Sequence, residues 1–260
     1  MADDGSIDGT AELLGREVLG VTVVRLESNR GFAPAANRGA GAAHGRIILL
    51  LNSDAVVEEG ALDAIVAAFD ADPTLGVAGA RLVNEDGTAQ WSGGRTPTLP
   101  WMIGVVSGAG RFAHFLRRGH REECLCDVDW VSGAAMAIRR EVWDAAGPLD
   151  ERFRFYCQDI ELCLRARKAG WRVAVVENAR VVHDIGGTVA GNGVLRHDPE
   201  RLWPDLLDWG TVHYGRRWSA AARIALVSVA WMRIIWSRLF RREETPALIR
   251  GVRALQRSDS

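Results

Sequence analysis

Apolar and polar positions change period repeatedly along this chain. The stretch "VTVVRL" (21–26) is rich in β-branched residues and predicts a strand. The stretch "AANRGAGAAHG" (35–45) is small and polar, which suits a helix packed close to a neighbour. "RIILLLNSD" (46–54) holds five consecutive apolar residues, the pattern of a strand buried on both faces. In "EEGALDAIVAAFDADP", Leu62, Ile65, Val66 and Phe69 recur at helical spacing, with acids at the start and Pro73 beyond the end. "VAGARL" (77–82) is a further short strand, and "NEDGT" (84–88) predicts a hairpin turn through Asp86-Gly87. Residues 92–126 lose regularity and are expected to be a loop-rich insertion. "DWVSGAAMAIRREVWDAAG" then predicts a strand and a short helix ending near Gly147. "QDIELCLRARKAG" predicts a helix with Ile160, Cys163, Leu164 and Arg167 on one face and Gly170 just past its end. "WRVAVV" is another strand. Strands alternating with helices point to an α/β protein with a parallel sheet.

The first residues, "MADDGSIDGTAELL", follow the same logic. Asp3 to Ser6 suit a tight turn between a strand end and a helix capped by Asp8. The 260 residues allow one large domain, or a domain with an appendage, and a 48% hydrophobic content supplies a sizeable core. A net charge of -1 gives no reason to expect nucleic acid as a partner. Four cysteines at 124, 126, 157 and 163 match neither a zinc spacing nor a secreted disulfide framework, so reduced thiols in a cytosolic protein are expected. The first ten residues are polar and acidic, unlike a signal peptide. Basic residues heavily outnumber acidic ones between 216 and 257.

Three stretches carry candidate chemistry. Asn52-Ser53-Asp54 ends an apolar strand, where open α/β sheets bind ligands; Asp54 faces a ligand there or caps the next helix. Gln158-Asp159 stands at the head of a helix. Asp159 is either a cap favoured by the helix dipole or a general base for a hydroxyl. His183, in "VVHDIGGT", follows a strand and precedes Gly186 and Gly187; it is either a structural histidine or a ligand. No G-x-G-x-x-G turn is present, which disfavours a dinucleotide-dependent oxidoreductase.

These stretches occur in a telling order: "DDGSIDGT", "NRGFAPAANRGAGAAHGRIILLLNSDA", "VSGAAMAIRREVWDAAGPLDERF", "QDIELCLRARKAGWRV" and "VVHDIGGT". In that order they resemble the family 2 inverting glycosyltransferases, and within them the rhamnosyltransferase-like branch. The resemblance runs from Asp3 to about Thr188. It implies the GT-A fold, a Rossmann-like nucleotide-binding half joined to an acceptor half, over residues 1–215. Asn52 and Asp54 resemble a DXD-type motif with Asn in first place, so Asp54 is expected to bind Mg²⁺ or Mn²⁺ on the donor's diphosphate. His183 aligns with a histidine that completes the metal site in some relatives. Asp3 resembles a base-contacting aspartate, and Gly31 to Asn37 resemble the segment beneath the nucleotide. Asp159 matches the catalytic aspartate of a Glu-Asp pair, with Gln158 replacing the usual Glu and dropping its charge. Gly133 and Arg152-Phe153 fall where the family shapes its acceptor pocket.

The implied activity is inverting transfer of a sugar, rhamnose by the branch, from a nucleotide-diphosphate sugar to a saccharide or polyprenyl-linked acceptor in cell-envelope polysaccharide synthesis. A non-catalytic remnant acting as a binding or scaffold protein is the competing expectation. It rests on Gln158 and on a GT-A domain that, beside the family pattern, is expected to lack a first strand and helix. Residues 216–260 form a basic helical tail. On a helical wheel Arg223, Arg233, Arg238, Arg241 and Arg242 gather on one half, with Val229, Trp236, Leu239 and Phe240 opposite and Leu226 and Ile234 blurring the pattern. Residues 220–242 are expected either to lie on a membrane surface or to pack on protein. The expected location is cytoplasmic, peripheral at the inner face of the cell membrane.

Overall fold

The computed structural model describes residues 1–17, 20–108, 125–153, 155–184, 198–240 and 245–257. In chain order the first described elements are β1 (Ala2–Asp3), α1 (Thr10–Glu17), β2 (Val24–Arg25), α2 (Phe32–Ala42), β3 (Ile47–Leu51), β4 (Ala55–Val57) and α3 (Ala61–Ala71). Next come β5 (Leu75–Val83), β6 (Gly93–Gly94), α4 (Leu99–Ser107), β7 (Leu125–Asp127), β8 (Trp130–Val131), β9 (Ala135–Arg139) and α5 (Arg140–Ala146). The last are α6 (Gln158–Lys168), β10 (Arg172–His183), α7 (Pro199–Tyr214), α8 (Arg216–Leu239) and α9 (Thr245–Arg257). They divide into two compact units, one of Met1–Gly94 with Cys124–His183 and one of Arg95–Glu123 with Asp184–Ser260.

The first unit is built on a sheet in the order β3-β9-β5-β10-β4, with β7 also paired to β10. The sheet is mixed. β5 and β10 run parallel, whereas β9 enters antiparallel between β3 and β5, and β4 and β7 lie antiparallel to β10. The expected parallel sheet is corrected to a mixed one: β9 is reached by a long excursion and returns against its neighbours. β5 is buried along its length except at Arg81, which pairs with Glu177. Val131 of β8 crosses so closely over β5 that a Cβ on Gly79 would stand 2.6 Å from the Val131 Cβ.

Helix α3 covers one face of the sheet with Ala61, Ile65, Ala68 and Phe69. Burying each of the two large side chains contributes about 1.5–3 kcal/mol. Leu62 and Val66, which recur at the same helical spacing, are 49% and 39% exposed. The alanines take the inner face instead, because they let the helix approach the strands closely. Three more expectations shift. The strand expected over 21–26 is only Val24–Arg25, paired parallel with Ala2–Asp3. Strand β10 continues past "WRVAVV" to His183, crossing an irregularity between Val176 and Arg180. The expected loop over 92–126 holds helix α4, which starts where the Thr98 hydroxyl accepts from the Trp101 amide and Pro100 follows. Cys126, Cys157 and Cys163 are free thiols, and Cys124 lies outside the described residues.

The second unit packs α8 along α4, α7 and α9. Its inner stripe, Ser219, Ala222, Leu226, Ala230, Ile234 and Ser237, recurs every three or four residues and is buried. Leu226 and Ile234 are therefore core positions rather than blemishes on an amphipathic face. Arg233 donates to the Val106 carbonyl at 2.9 Å and Arg223 to the Leu255 carbonyl at 2.6 Å. Both are half-buried and stitch helices together, which removes them from the charged half expected for the tail. Arg241 and Arg242 lie outside the described residues. The outward face carries Ile224, Trp231, Met232, Ile235, Trp236, Leu239 and Phe240, and α8 is long and apolar enough, by length and composition, to cross a membrane.

Candidate active site

The end of β3 and the end of β10 meet across β4. Antiparallel pairing sets His183 opposite Ala55, so Asp54, one residue before β4, falls beside the imidazole. His183 Nε2 stands 3.4 Å from Asp54 Oδ1 and 3.4 Å from Asn52 Nδ2. A charge-assisted hydrogen bond would be roughly 2.7–2.9 Å. Two ligands of one divalent ion, each about 2.1 Å from it, stand roughly 3.0–3.4 Å apart. The Asp54–His183 spacing is long for a direct hydrogen bond and compatible with two ligands of one cation. Among the described residues no cluster of three or more His, Cys, Asp or Glu side chains is arranged for a metal. A cation here would thus take its remaining ligands from water or from a phosphate-bearing molecule. On its other side His183 Nδ1 lies 3.0 Å from Gln90 Oε1. Gln90, buried and unnoticed in the sequence, emerges directly after the Asp86-Gly87 turn.

A second cluster forms at the head of α6. Cys157 sits in the left-handed region, φ 70, and turns the chain into the helix. Asp159 Oδ2 accepts from the Gly133 amide at 3.0 Å, and Oδ1 accepts from its neighbour Ile160 at 2.8 Å. Burial pushes the Asp159 carboxyl above its ordinary value, and these two amides pull the other way without cancelling it. Gln158 is buried. Its Nε2 donates to the Phe155 carbonyl at 3.0 Å, and its Oε1 has no hydrogen-bond partner among the described residues.

The two clusters share one turn. Ala134, next to Gly133, accepts through its carbonyl from the Asn52 amide at 3.0 Å. The turn 132–134 thus holds the strand end that carries Asn52 and Asp54, and it also holds the Asp159 carboxylate.

A third group lies at the chain's front. Asp3 is buried, accepts from the Ser6 amide at 3.2 Å and faces Arg25 Nε at 3.4 Å. Its neighbour Asp4, missed in the sequence, accepts from the amides of Arg30 and Gly31 at 2.8 Å each. Gly31 adopts φ 98, open to glycine alone at little cost. Asn37 spends its amide within the fold: Nδ2 donates to the Leu149 carbonyl at 2.9 Å and to Glu151 at 3.1 Å, while Oδ1 accepts from the Leu149 amide at 2.8 Å. That clamp leaves little of the side chain for a ligand. Phe153 is buried, and Arg152 is paired with Asp150.

A sequence profile described as glycosyl transferase family 2 matches residues 1–145, more than half of the chain. This chain belongs to glycosyl transferase family 2. Its similarity extends to an N-acetylglucosaminyl-diphospho-decaprenol L-rhamnosyltransferase of Mycobacterium tuberculosis, 27% identical over 200 residues. That match covers 70% of this chain, and the chain spans 65% of the relative's length. The O-antigen biosynthesis protein RfbC of Myxococcus xanthus is 32% identical over 158 residues, 58% of this chain and 12% of that protein. Among solved structures, the mannosyltransferase PcManGT of Pyrobaculum calidifontis, in complex with GDP-Man and Mn²⁺, superposes with a TM-score of 0.57 at 16% identity. That superposition covers 99% of this chain and 77% of that one. S. aureus TarS 1-349 superposes with a TM-score of 0.52 at 16% identity, over 98% and 69%. The architecture is the GT-A fold, α/β with helices at its C-terminal end, as the family resemblance implied.

Proposed function

We propose that this family 2 chain transfers a sugar with inversion from a nucleotide-diphosphate sugar to an acceptor hydroxyl, with Asp159 as general base. The observation that carries the reading is the shared turn: Gly133 holds the Asp159 carboxylate while Ala134 holds the strand end bearing Asn52 and Asp54. Asp159 takes the proton of the acceptor hydroxyl. The hydroxyl oxygen bonds to the anomeric carbon as the bond from that carbon to the diphosphate oxygen breaks. The electron pair leaves with the diphosphate, and the anomeric configuration inverts. Asp54 and His183 are the side chains that would hold a divalent cation, Mg²⁺ or Mn²⁺, which when bound neutralises charge on the leaving diphosphate. Asp3 and the Gly31 turn are assigned to the nucleotide, Asn52 to the donor beside Asp54, and Gly133 to the acceptor side. Gln158, beside Asp159, is assigned to the substrate side. Asn37 is assigned to fastening the segment beneath the nucleotide.

The rhamnosyltransferase named among the relatives supports rhamnose as the donor sugar and a polyprenyl-diphosphate-linked saccharide as the acceptor, in polysaccharide synthesis. A lipid-linked acceptor also suits the outward face of α8, where two tryptophans and four aliphatic side chains are exposed. That face is proposed to rest on anionic lipid at the inner side of the cell membrane.

The deciding experiment offers the protein a panel of nucleotide sugars, dTDP-rhamnose first, with Mn²⁺ and a polyprenyl-diphosphate N-acetylglucosamine acceptor. Transfer by the wild type, lowered about 10²–10⁴-fold in Asp159→Asn, supports the assignment. Unimpaired transfer by Asp159→Asn overturns the base. Donor binding with no turnover by the wild type favours the binding-protein reading instead.

A further inference from the structure

The hairpin turn at Asp86-Gly87 takes no part in the chemistry above, yet its side chains run in a line to His183. The Thr88 amide and hydroxyl both reach Asp86 Oδ1, at 2.9 and 2.5 Å. Those bonds hold the Asp86 carboxyl below its ordinary value, so it only accepts. The single hydroxyl proton of Thr88 is therefore committed to Asp86. Thr88 Oγ1 can then only accept from Asn84 Nδ2, 2.6 Å away. That orients the Asn84 amide and leaves its Oδ1 to accept from Gln90 Nε2 at 2.7 Å. Gln90 Nε2 also donates to the His183 backbone carbonyl. Every donor of the Gln90 amide thus points away from the imidazole, and Oε1 faces Nδ1 at 3.0 Å. An oxygen there requires the proton on Nδ1. A neutral imidazole has one N–H, so Nε2 bears a lone pair. Nε2 is left facing the Asn52 amide nitrogen and Asp54 Oδ1, each 3.4 Å away.

We propose that Gln90 is a positioning residue: the relay Asp86–Thr88–Asn84–Gln90 locks His183 as its Nδ1–H tautomer and aims the Nε2 lone pair at Asp54, ready for a cation. The inference deepens the site proposed above and rests on the reading of His183 as a cation ligand. Its chemistry is that of a ligand histidine whose far nitrogen is held by an acceptor, an arrangement that fixes ring orientation and basicity. The relay is local, spanning seven residues of one hairpin, and its last two side chains, Asn84 and Gln90, are half-buried and buried.

The test uses the full chain with ¹⁵N-labelled histidine, free of metal at pH 8, with long-range proton–nitrogen correlation reporting the tautomer. Six histidines are present, and the His183 signals are identified by their loss in His183→Gln. Wild-type His183 is expected as Nδ1–H. Gln90→Met, close in shape but with only a weak thioether acceptor, should move it toward Nε2–H, and Gln90→Glu, which loses the donors to Asn84 and the His183 carbonyl but keeps an oxygen facing Nδ1, should retain Nδ1–H. Mn²⁺ titrations followed by electron paramagnetic resonance, with and without UDP, should show about 10–100-fold weaker binding in Gln90→Met and near-native binding in Gln90→Glu. Wild-type His183 found as Nε2–H, or a tautomer unmoved by Gln90→Met, overturns the proposal. Unchanged Mn²⁺ affinity in His183→Gln removes His183 from the cation site, while the tautomer measurement still decides the role of Gln90.

Discussion

Cys157 is the described non-glycine residue with a positive φ, and it directly precedes Gln158 and Asp159. An L-residue in that region carries roughly 1–2 kcal/mol of strain. Cys157→Gly removes the Cβ and the strain together, whereas Cys157→Ala removes the thiol and keeps the strain. Thermal unfolding should therefore show a smaller loss of Tm for Cys157→Gly than for Cys157→Ala; the reverse order would mean that the thiol's packing outweighs the backbone. Asp159 has a pH signature. If it is the proposed base, only its ionised form takes a proton, so kcat/KM is expected to rise with pH through its pKa, which burial sets above 3.8. The acid limb of the profile should lie above 3.8, and a limb at or below it would mean that another group is being titrated. The sign for stability is opposite. The folded chain binds this proton more tightly than the unfolded chain, so the group's contribution falls as pH rises from 3.8 to the folded value. At this scale the residue types of the candidate base and of the candidate cation ligands could be read from sequence. The roles of Asp4 and Gln90 could not, because an Asp in a turn and a lone Gln after one look like ordinary surface residues until their partners appear.

Element ends show how local signals and distant partners combine. Asp72 follows α3, and its carboxylate accepts from the Thr74 hydroxyl at 2.6 Å and from Arg172 at 2.7 Å, with a β10 residue thereby tied to the helix end. The Thr74 and Arg172 bonds hold its carboxyl down at about 2. A depressed carboxyl stabilises the fold above its unfolded value of 3.8, and that stability is lost as pH falls toward 2. Asp72→Asn should cost about 1 kcal/mol at pH 7, allowing for solvent screening, and nearly nothing at pH 2 in urea titrations. A cost independent of pH would assign the effect to the hydrogen bonds alone. Helix α3 itself could be read from its period and its bounding acids and proline. Its inward face could be read only in part: Ile65 and Phe69 are buried, but alanine satisfies an apolar pattern in either phase, and Ala61 and Ala68 rather than Leu62 and Val66 complete the buried face. The antiparallel insertion of β9 was equally hidden, because an apolar strand carries no mark of its neighbour's direction.

On the scale of the molecule, α8 is the element proposed to meet a lipid surface. Its sequence from Arg216 on to Arg257 in α9 holds ten arginines against two glutamates. Arg223 and Arg233 are spent on helix packing, leaving Arg216, Arg217 and Arg238 exposed on α8. Trp231 and Trp236 lie exposed between them. If this face meets lipid, replacing both with serine should lower cosedimentation with anionic vesicles at least about tenfold, because each buried aromatic contributes more than 1 kcal/mol. The Tm should barely change, since neither ring is buried in the unit. Vesicle binding unaffected by the double change would assign the face to a protein partner.

The sequence by itself determined what depends on neighbours three or four residues away. The Asp86-Gly87 turn, the start and stop of α6 and the apolar runs of β3 and β5 all belong to this class. Tertiary structure alone decided what depends on residues far along the chain. It brought His183 beside Asp54, some 130 positions earlier, through the β4–β10 register. It hung Asp159 and Asn52 on one turn, and it turned Leu226 and Ile234 inward while leaving Trp231 and Trp236 outside. The physical reason is the same in each case. Backbone period and capping are settled by local sterics and hydrogen bonds, whereas strand register and the choice of buried face are settled by the surface that each element finds against it.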